Sequence, residues 1–156
     1  MAEPDFIADC HARVRAIYRY WDSKRNGRLM PRRADLDPVD IPKLLPDICL
    51  VDVVPDARKY VYRLIGTNEC AMRGRDPTGQ AVGEGYFGTS KDSVFLNYDG
   101  VTRSRAPRLD RDPSITSDNR FIHHESIFLP LSDDGEHVNM ILVYTVYGPP
   151  PRRLDL

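Results

Sequence analysis

The chain has 156 residues, 41% of them hydrophobic and 29% charged. That suits one globular domain with its own core. A formal net charge of −1 gives no global field favouring nucleic acid or an anionic membrane.

The opening stretch, residues 5–27, predicts an amphipathic helix. Phe6, Cys10, Val14, Ile17 and Trp21 recur every three or four positions and form one apolar stripe. Asp5 can cap its start, and Asn26-Gly27 can end it in the left-handed conformation. Arg13, Arg15 and Arg19 then lie on a solvated face. Residues 1–30 are read as a helical segment for packing or dimerisation. Residues 31–147 are read as the main domain and 148–156 as a proline-rich tail.

Asp37-Pro38 is a cap and first-turn pair for a short helix ending near Leu45, with Ile41 and Leu44 able to bury. Residues 48–54 and 59–66 are rich in β-branched and aromatic side chains around a turn, and predict a hairpin. Short helical turns follow, broken by Gly74 and Pro77-Thr78-Gly79. Residues 89–105 predict a helix burying Val94, Phe95, Tyr98 and Val101, although Gly100 weakens it. Residues 107–115 make a short, charged edge strand. Two long apolar strands close the chain, separated by a polar turn. Strands outside and helices in the middle indicate an α+β domain on an antiparallel sheet.

The motifs at 35–53 (DLDPVDIPKLLPDICLVDV), 62–67 (YRLIGT), 74–79 (GRDPTG) and 129–135 (LPLSDDG) together resemble a PAS domain. More narrowly they resemble a bacterial PAS-like family long catalogued without a function. The resemblance implies a five-stranded antiparallel sheet with helices closed over one face and a ligand pocket beneath the helix at 89–105. It implies a sensor or adaptor in signal transduction rather than an enzyme. Light-sensing flavin members carry a reactive cysteine in an Asn-Cys-Arg-Phe context, which the surroundings of Cys70 lack. Haem-binding members ligate iron from a histidine on the long helix, and 89–105 has none. The cofactor is therefore unknown.

The stretch IHHESIFLPLSDDG (122–135) holds the most suggestive chemistry. In a strand, His123 and His124 point to opposite faces and cannot share a metal. His123 and Glu125 share a face, but a metal needs three or four ligands. No GxSxG elbow supports a hydrolytic triad. If Asp133-Asp134-Gly135 forms a three-residue loop, residues summing to 268 face each other: Phe128 with Met140, Ser126 with Leu142, His124 with Tyr144. The even-numbered face then lines the core beneath the helices. On it His124 and Tyr144 either orient a ligand or bond each other in a filled core.

The predicted ligand set is His124, Tyr144, Ser126, Phe128, Met140, Leu142, Tyr62, Leu64, Met72 and Tyr98, with no catalytic or metal residue. Arg63 is read as a mid-strand ion-pair anchor. The apolar odd face, with Ile127, Leu129, Ile141 and Val143, needs a cover, and the N-terminal helix is the available lid. That helix and the outer sheet face would also support a homodimer, and a signalling protein is the other expected partner; nucleic acid and membrane are not. No basic-then-apolar leader opens the sequence. No apolar run reaches the roughly 18 residues that span a bilayer. The three cysteines, Cys10, Cys49 and Cys70, form no CxxC pair. Together these predict a cytoplasmic, stand-alone module without an output domain. A small α+β enzyme using Glu125 and the histidines, and an interaction domain with a filled core, are the alternatives.

Overall fold

The computed structural model describes residues 3–88, 90–111, 114–115 and 119–148. The proline-rich tail beyond Gly148 lies outside them. A 3-10 turn, Asp5–Asp9, precedes α1, Ala12–Lys24. The helix expected from residue 5 is interrupted because Cys10 is extended. His11, rather than Asp5, caps α1 by accepting from the Arg13 amide at 3.2 Å. The break also moves the first buried position from Phe6 to Ile7, while Cys10, Val14, Ile17 and Trp21 are buried as the spacing requires. Asn26 and Gly27 adopt positive φ, 49° and 79°, beyond the helix end.

Two 3-10 turns, Pro38–Asp40 and Leu45–Asp47, replace the single short helix expected there. Asp37 caps the first, accepting from the Val39 amide at 3.0 Å. Strand β1 (Ile48–Val53) and β2 (Tyr60–Ile65) form the hairpin. Helices α2 (Thr67–Arg73), α3 (Val82–Gly85) and α4 (Lys91–Ser104) follow. Then come β3 (Arg108–Asp110), a small ribbon of β4 (Ser114–Ile115) with β5 (Phe121–Ile122), and the long strands β6 (His124–Leu131) and β7 (Met140–Tyr147). The main sheet is antiparallel, five-stranded and ordered β2-β1-β7-β6-β3, with β3 at an edge.

Both faces of this sheet are covered. Helix α4 packs on one face of β6, and α1 crosses the other face of β6 and β7. Trp21, 1% exposed, anchors α1 by donating its indole N–H to the Pro130 carbonyl at 2.9 Å. Burying Val14, Ile17 and Trp21 contributes about 1.5–3 kcal/mol for each aliphatic side chain and at least as much for the indole. The stripe of α1 is thus spent on its own sheet.

Asp47 ties the layers together. Its buried carboxylate accepts from Arg13 on α1 at 3.1 Å, Asn68 on α2 at 3.0 Å and the Tyr144 hydroxyl on β7 at 3.4 Å. Burial, and then this carboxylate, push the Tyr144 phenol up to about 12. No described helix is long and apolar enough to cross a membrane.

Two irregularities decide which side chains face α4. The β6–β7 connection runs from Ser132 to Asn139, so paired residues sum to 271 rather than 268. Gly135 does take positive φ, 83°, but it does not close a three-residue loop. Asp134 Oδ1 accepts from the amides of Glu136 at 2.8 Å and His137 at 2.7 Å, and Asn139 Oδ1 accepts from the Asp133 amide at 2.8 Å. These bonds stabilise a wider turn. The three-residue displacement is odd, so β7 presents its other face. The second irregularity is a bulge: Leu50 pairs with Leu64 but Val51 pairs with Tyr62, leaving Arg63 over. Arg63 reaches Asp52 at 3.8 Å as a largely exposed ion pair.

Candidate functional site

Between α4, α2 and the sheet lies a cavity of about 60 Å³. It has room for a few waters or a ligand of few heavy atoms. Its floor is the alternating face of β6 and β7. His124 lies opposite Tyr147, Ser126 opposite Thr145 and Phe128 opposite Val143, and all six line it. The Ser126 and Thr145 hydroxyls bond each other at 2.7 Å. Tyr98 of α4 meets Phe128 edge-on at 5.3 Å between ring centroids.

One end is built by α2. Glu69 and Arg73, four residues apart on one helix face, form an ion pair at 3.2 Å, with side chains only 4% and 10% exposed. Arg73 donates further to the Tyr62 hydroxyl and the Gly85 carbonyl, both at 3.1 Å. Its guanidinium lies over the rings of Tyr62 and Phe87, 4.9 and 5.6 Å from their centroids. Among the described residues, Glu69 Oε1 is buried without a hydrogen-bond partner. Burial raises the Tyr147 phenol, and the charge of neighbouring Glu69 raises it further. Burial likewise raises Tyr62, against the opposing pull of Arg73, and raises Tyr98.

The other end is set by β3. Asp110 accepts from Asn97 on α4 at 2.7 Å and lies 3.7 Å from His124 Nε2. Asn97 Oδ1 in turn accepts from Arg108 Nε at 3.0 Å. Gly100 permits this: a Cβ there would stand 2.7 Å from the Arg108 guanidinium. The glycine that weakens α4 lets β3 lean on it.

Of the predicted ligand set, His124, Ser126, Phe128, Tyr62 and Tyr98 converge on the cavity. Tyr144, Met140 and Leu142 do not, because the longer turn rotates β7 by one face. His124 stands opposite Tyr147, and Tyr144 pairs with Ile127 and bonds Asp47. Leu64 is carried to the opposite face by the Arg63 bulge and, with Leu142, lines a separate apolar cavity of about 210 Å³ beside Leu36 and Ile41. Met72 is half-buried outside the cavity lining, and its neighbour Arg73 takes the inward position. Sequence reasoning missed Glu69, Arg73, Asn97, Asp110, Thr145 and Tyr147. The Glu69–Arg73 spacing was the available signal for the first two.

The histidine–glutamate stretch is divided among three places. His123 is exposed between β5 and β6, His124 enters the cavity, and Glu125 is buried on the other face. There Glu125 accepts from the His11 amide at 2.8 Å and Arg111 at 3.2 Å, holding the start of α1. Glu125 and His124 therefore cannot act on one substrate. Among the described residues no group of three His, Cys, Asp or Glu could hold a metal.

The order of the sheet, the helices between its second and third strands, and the cavity beneath α4 are those of one known architecture. The family model described as "PAS domain" matches residues 10–144. The chain belongs to the PAS domain family.

Solved structures with this fold include a light-oxygen-voltage domain studied with a flavin analogue. It is 8% identical, with 71% of this chain and 83% of that one covered and a TM-score of 0.56. The domain of the blue-light-activated histidine kinase of Erythrobacter litoralis is 11% identical, with 64% and 93% covered and a TM-score of 0.51. A PAS domain from Colwellia psychrerythraea is also 11% identical, with 74% and 100% covered and a TM-score of 0.51. At such identities the likeness is one of fold. No curated protein matches.

PAS folds commonly serve in sensing and signal transduction. A flavin does not fit this member. The cavity falls several-fold short of the roughly 300–1,000 Å³ of sites for drug-sized ligands. Cys70 lies outside its lining, with its thiol directed to the Ile65 carbonyl at 3.8 Å. Helix α4 offers no histidine to a haem.

Proposed function

We propose that this PAS domain is a cytoplasmic sensor or adaptor that binds a small polar ligand beneath α4 and signals through a partner protein. One observation carries the reading: among the described residues, a buried carboxylate oxygen at the cavity, Glu69 Oε1, lacks a hydrogen-bond partner. A domain whose core served packing alone would lose little, or gain, by replacing the whole Glu69–Arg73 pair with apolar side chains. Ligand binding would shift the population between two arrangements of α2 and α4 on the sheet, and the partner would read the difference. The homodimer expected from the N-terminal helix would have to use surface other than that helix's apolar stripe.

Native mass spectrometry of the purified protein tests this, with Val143→Leu as the comparison. Val143 lines the cavity, and the added methylene shrinks it. The expected result is a small-molecule adduct on the wild type that the variant loses. A wild type without an adduct, together with a variant of higher Tm, would mean an underfilled core and would refute the proposal.

A further inference from the structure

We infer that the separate apolar cavity, on the face of the sheet away from α4, is a second binding site. It takes a neutral aliphatic molecule of about eight carbons, scaled from the roughly 150 Å³ cavity that holds benzene. This site shares no lining residue with the one beneath α4.

The fold makes the cavity by leaving one part of the sheet partly covered. Leu50 on β1 stands between Leu142 on β7 and Leu64 on β2. Three leucines from three neighbouring strands therefore run side by side on one face. Ile48, two residues before Leu50, shares that face. Helix α1 packs over β6 and β7. The segment 36–45 stands over the remaining floor, with Leu36 and Ile41 in the wall, and leaves about 210 Å³ between.

The lining decides the chemistry. Apart from Arg33 and Asp37, every side chain in it is aliphatic. Arg33 donates to the Leu36 carbonyl at 3.1 Å, and Asp37 Oδ1 accepts from the Val39 amide at 3.0 Å. A water held between the leucines would lack the two to four polar partners that an interior water needs. An apolar ligand gives up nothing there and gains the burial of its own surface. The one cation and one anion in the lining cancel, so neither sign of ligand charge is favoured, and a neutral head group is the match.

Depth decides between a small molecule and a flat protein contact. Ile48, Leu50 and Leu142 are only 4%, 6% and 2% exposed although nothing fills the space above them. The floor is thus recessed, as in small-molecule sites, where the ligand is largely enclosed. Leu64, 46% exposed, is the lining residue that a ligand would cover from the solvent side.

The test is methyl NMR of the intact protein titrated with n-octanol, with n-butanol and octanoate as comparisons at matched ionic strength. The expected result is saturable shifts of the Leu36, Ile41, Leu50, Leu64 and Leu142 methyls. Those of Val94 and Val143, which line the cavity beneath α4, should stay in place. The shorter n-butanol should bind at least about tenfold more weakly, because each buried methylene adds to affinity. Leu64→Trp lays a ring across the opening, and Leu64→Asp sets a carboxylate that an apolar ligand would desolvate. Each should weaken n-octanol at least about tenfold, and both alter a half-exposed position that the fold tolerates. Absence of saturable shifts, binding unchanged in both variants, or octanoate binding as tightly as n-octanol would overturn the assignment. So would a dimer in light scattering that Leu64→Asp splits, since a second copy would then cover the site. In the native mass spectrum, an adduct that Val143→Leu retains and Leu64→Trp removes supports this site over the one beneath α4.

Discussion

Replacing Arg73 by methionine isolates the buried ion pair at the end of the cavity. Arg73 is 10% exposed and its partner Glu69 4%, so the variant leaves a carboxylate buried without its cation. Removing one member of a buried pair costs about 3–5 kcal/mol. The nearby cavity can admit water to Glu69, which places the expected loss near the lower end, about 3 kcal/mol. The double variant Arg73→Met, Glu69→Met removes both charges and both desolvation penalties. It should recover most of that loss, since apolar replacement of a whole buried pair is often neutral or stabilising. The assay is urea unfolding followed by the fluorescence of Trp21, the one tryptophan in the chain, across the two single variants and the double one. A loss under 1 kcal/mol for Arg73→Met, or a double variant no more stable than Arg73→Met, would show that Glu69 is effectively solvated. The account of an uncompensated buried oxygen would then be wrong.

Gly66 should be equally unforgiving for a steric reason. A Cβ there would lie 2.4 Å from the Pro46 carbonyl oxygen and 2.7 Å from that of Leu45, both backbone atoms. Gly66→Ala should lower stability by about 3 kcal/mol, the upper end for overpacking, and a loss below about 0.5 kcal/mol in urea unfolding would contradict the close approach. Asp35 carries a pH prediction. The Arg32 amide and then Arg28 hold its carboxyl down at about 2. A carboxyl depressed on folding stabilises the native state above its unfolded value, near 3.9, and loses that contribution as pH falls through its folded value. Asp35→Asn should therefore flatten the fall in Tm between about pH 4 and pH 2. Parallel curves for variant and wild type would count against it.

Periodicity made most of this fold legible. The stripe Cys10–Val14–Ile17–Trp21 predicted the packing of α1, and α1 does serve as the lid on the outer sheet face. The β-branched and aromatic runs at 48–54 and 59–66, with a turn between them, predicted the first hairpin. What failed was local geometry with long-range consequences. Asp133-Asp134-Gly135 carries the letters of a tight loop, but Asp134 and Asn139 bond amides across an eight-residue connection. That choice between side-chain and backbone closure leaves no trace in hydropathy, yet it exchanged Tyr144 for Tyr147 in the cavity. The Arg63 bulge acted similarly, keeping Tyr62 in place and removing Leu64. His124, Ser126 and Phe128 were placed correctly because their strand reads from its own alternation. Glu69 and Arg73 were missed because an i,i+4 ion pair is commonplace on solvated helices, and only the burial of α2 makes this one unusual.

Asp47 turns the two faces of the sheet into one mechanical unit. Asn68, which bonds it, is the residue immediately before Glu69, and Arg13, which also bonds it, sits on α1 behind the sheet. Through this one carboxylate the helix beside the cavity and the helix behind the sheet hold the same anchor, so neither can shift alone without giving up a hydrogen bond to Asp47.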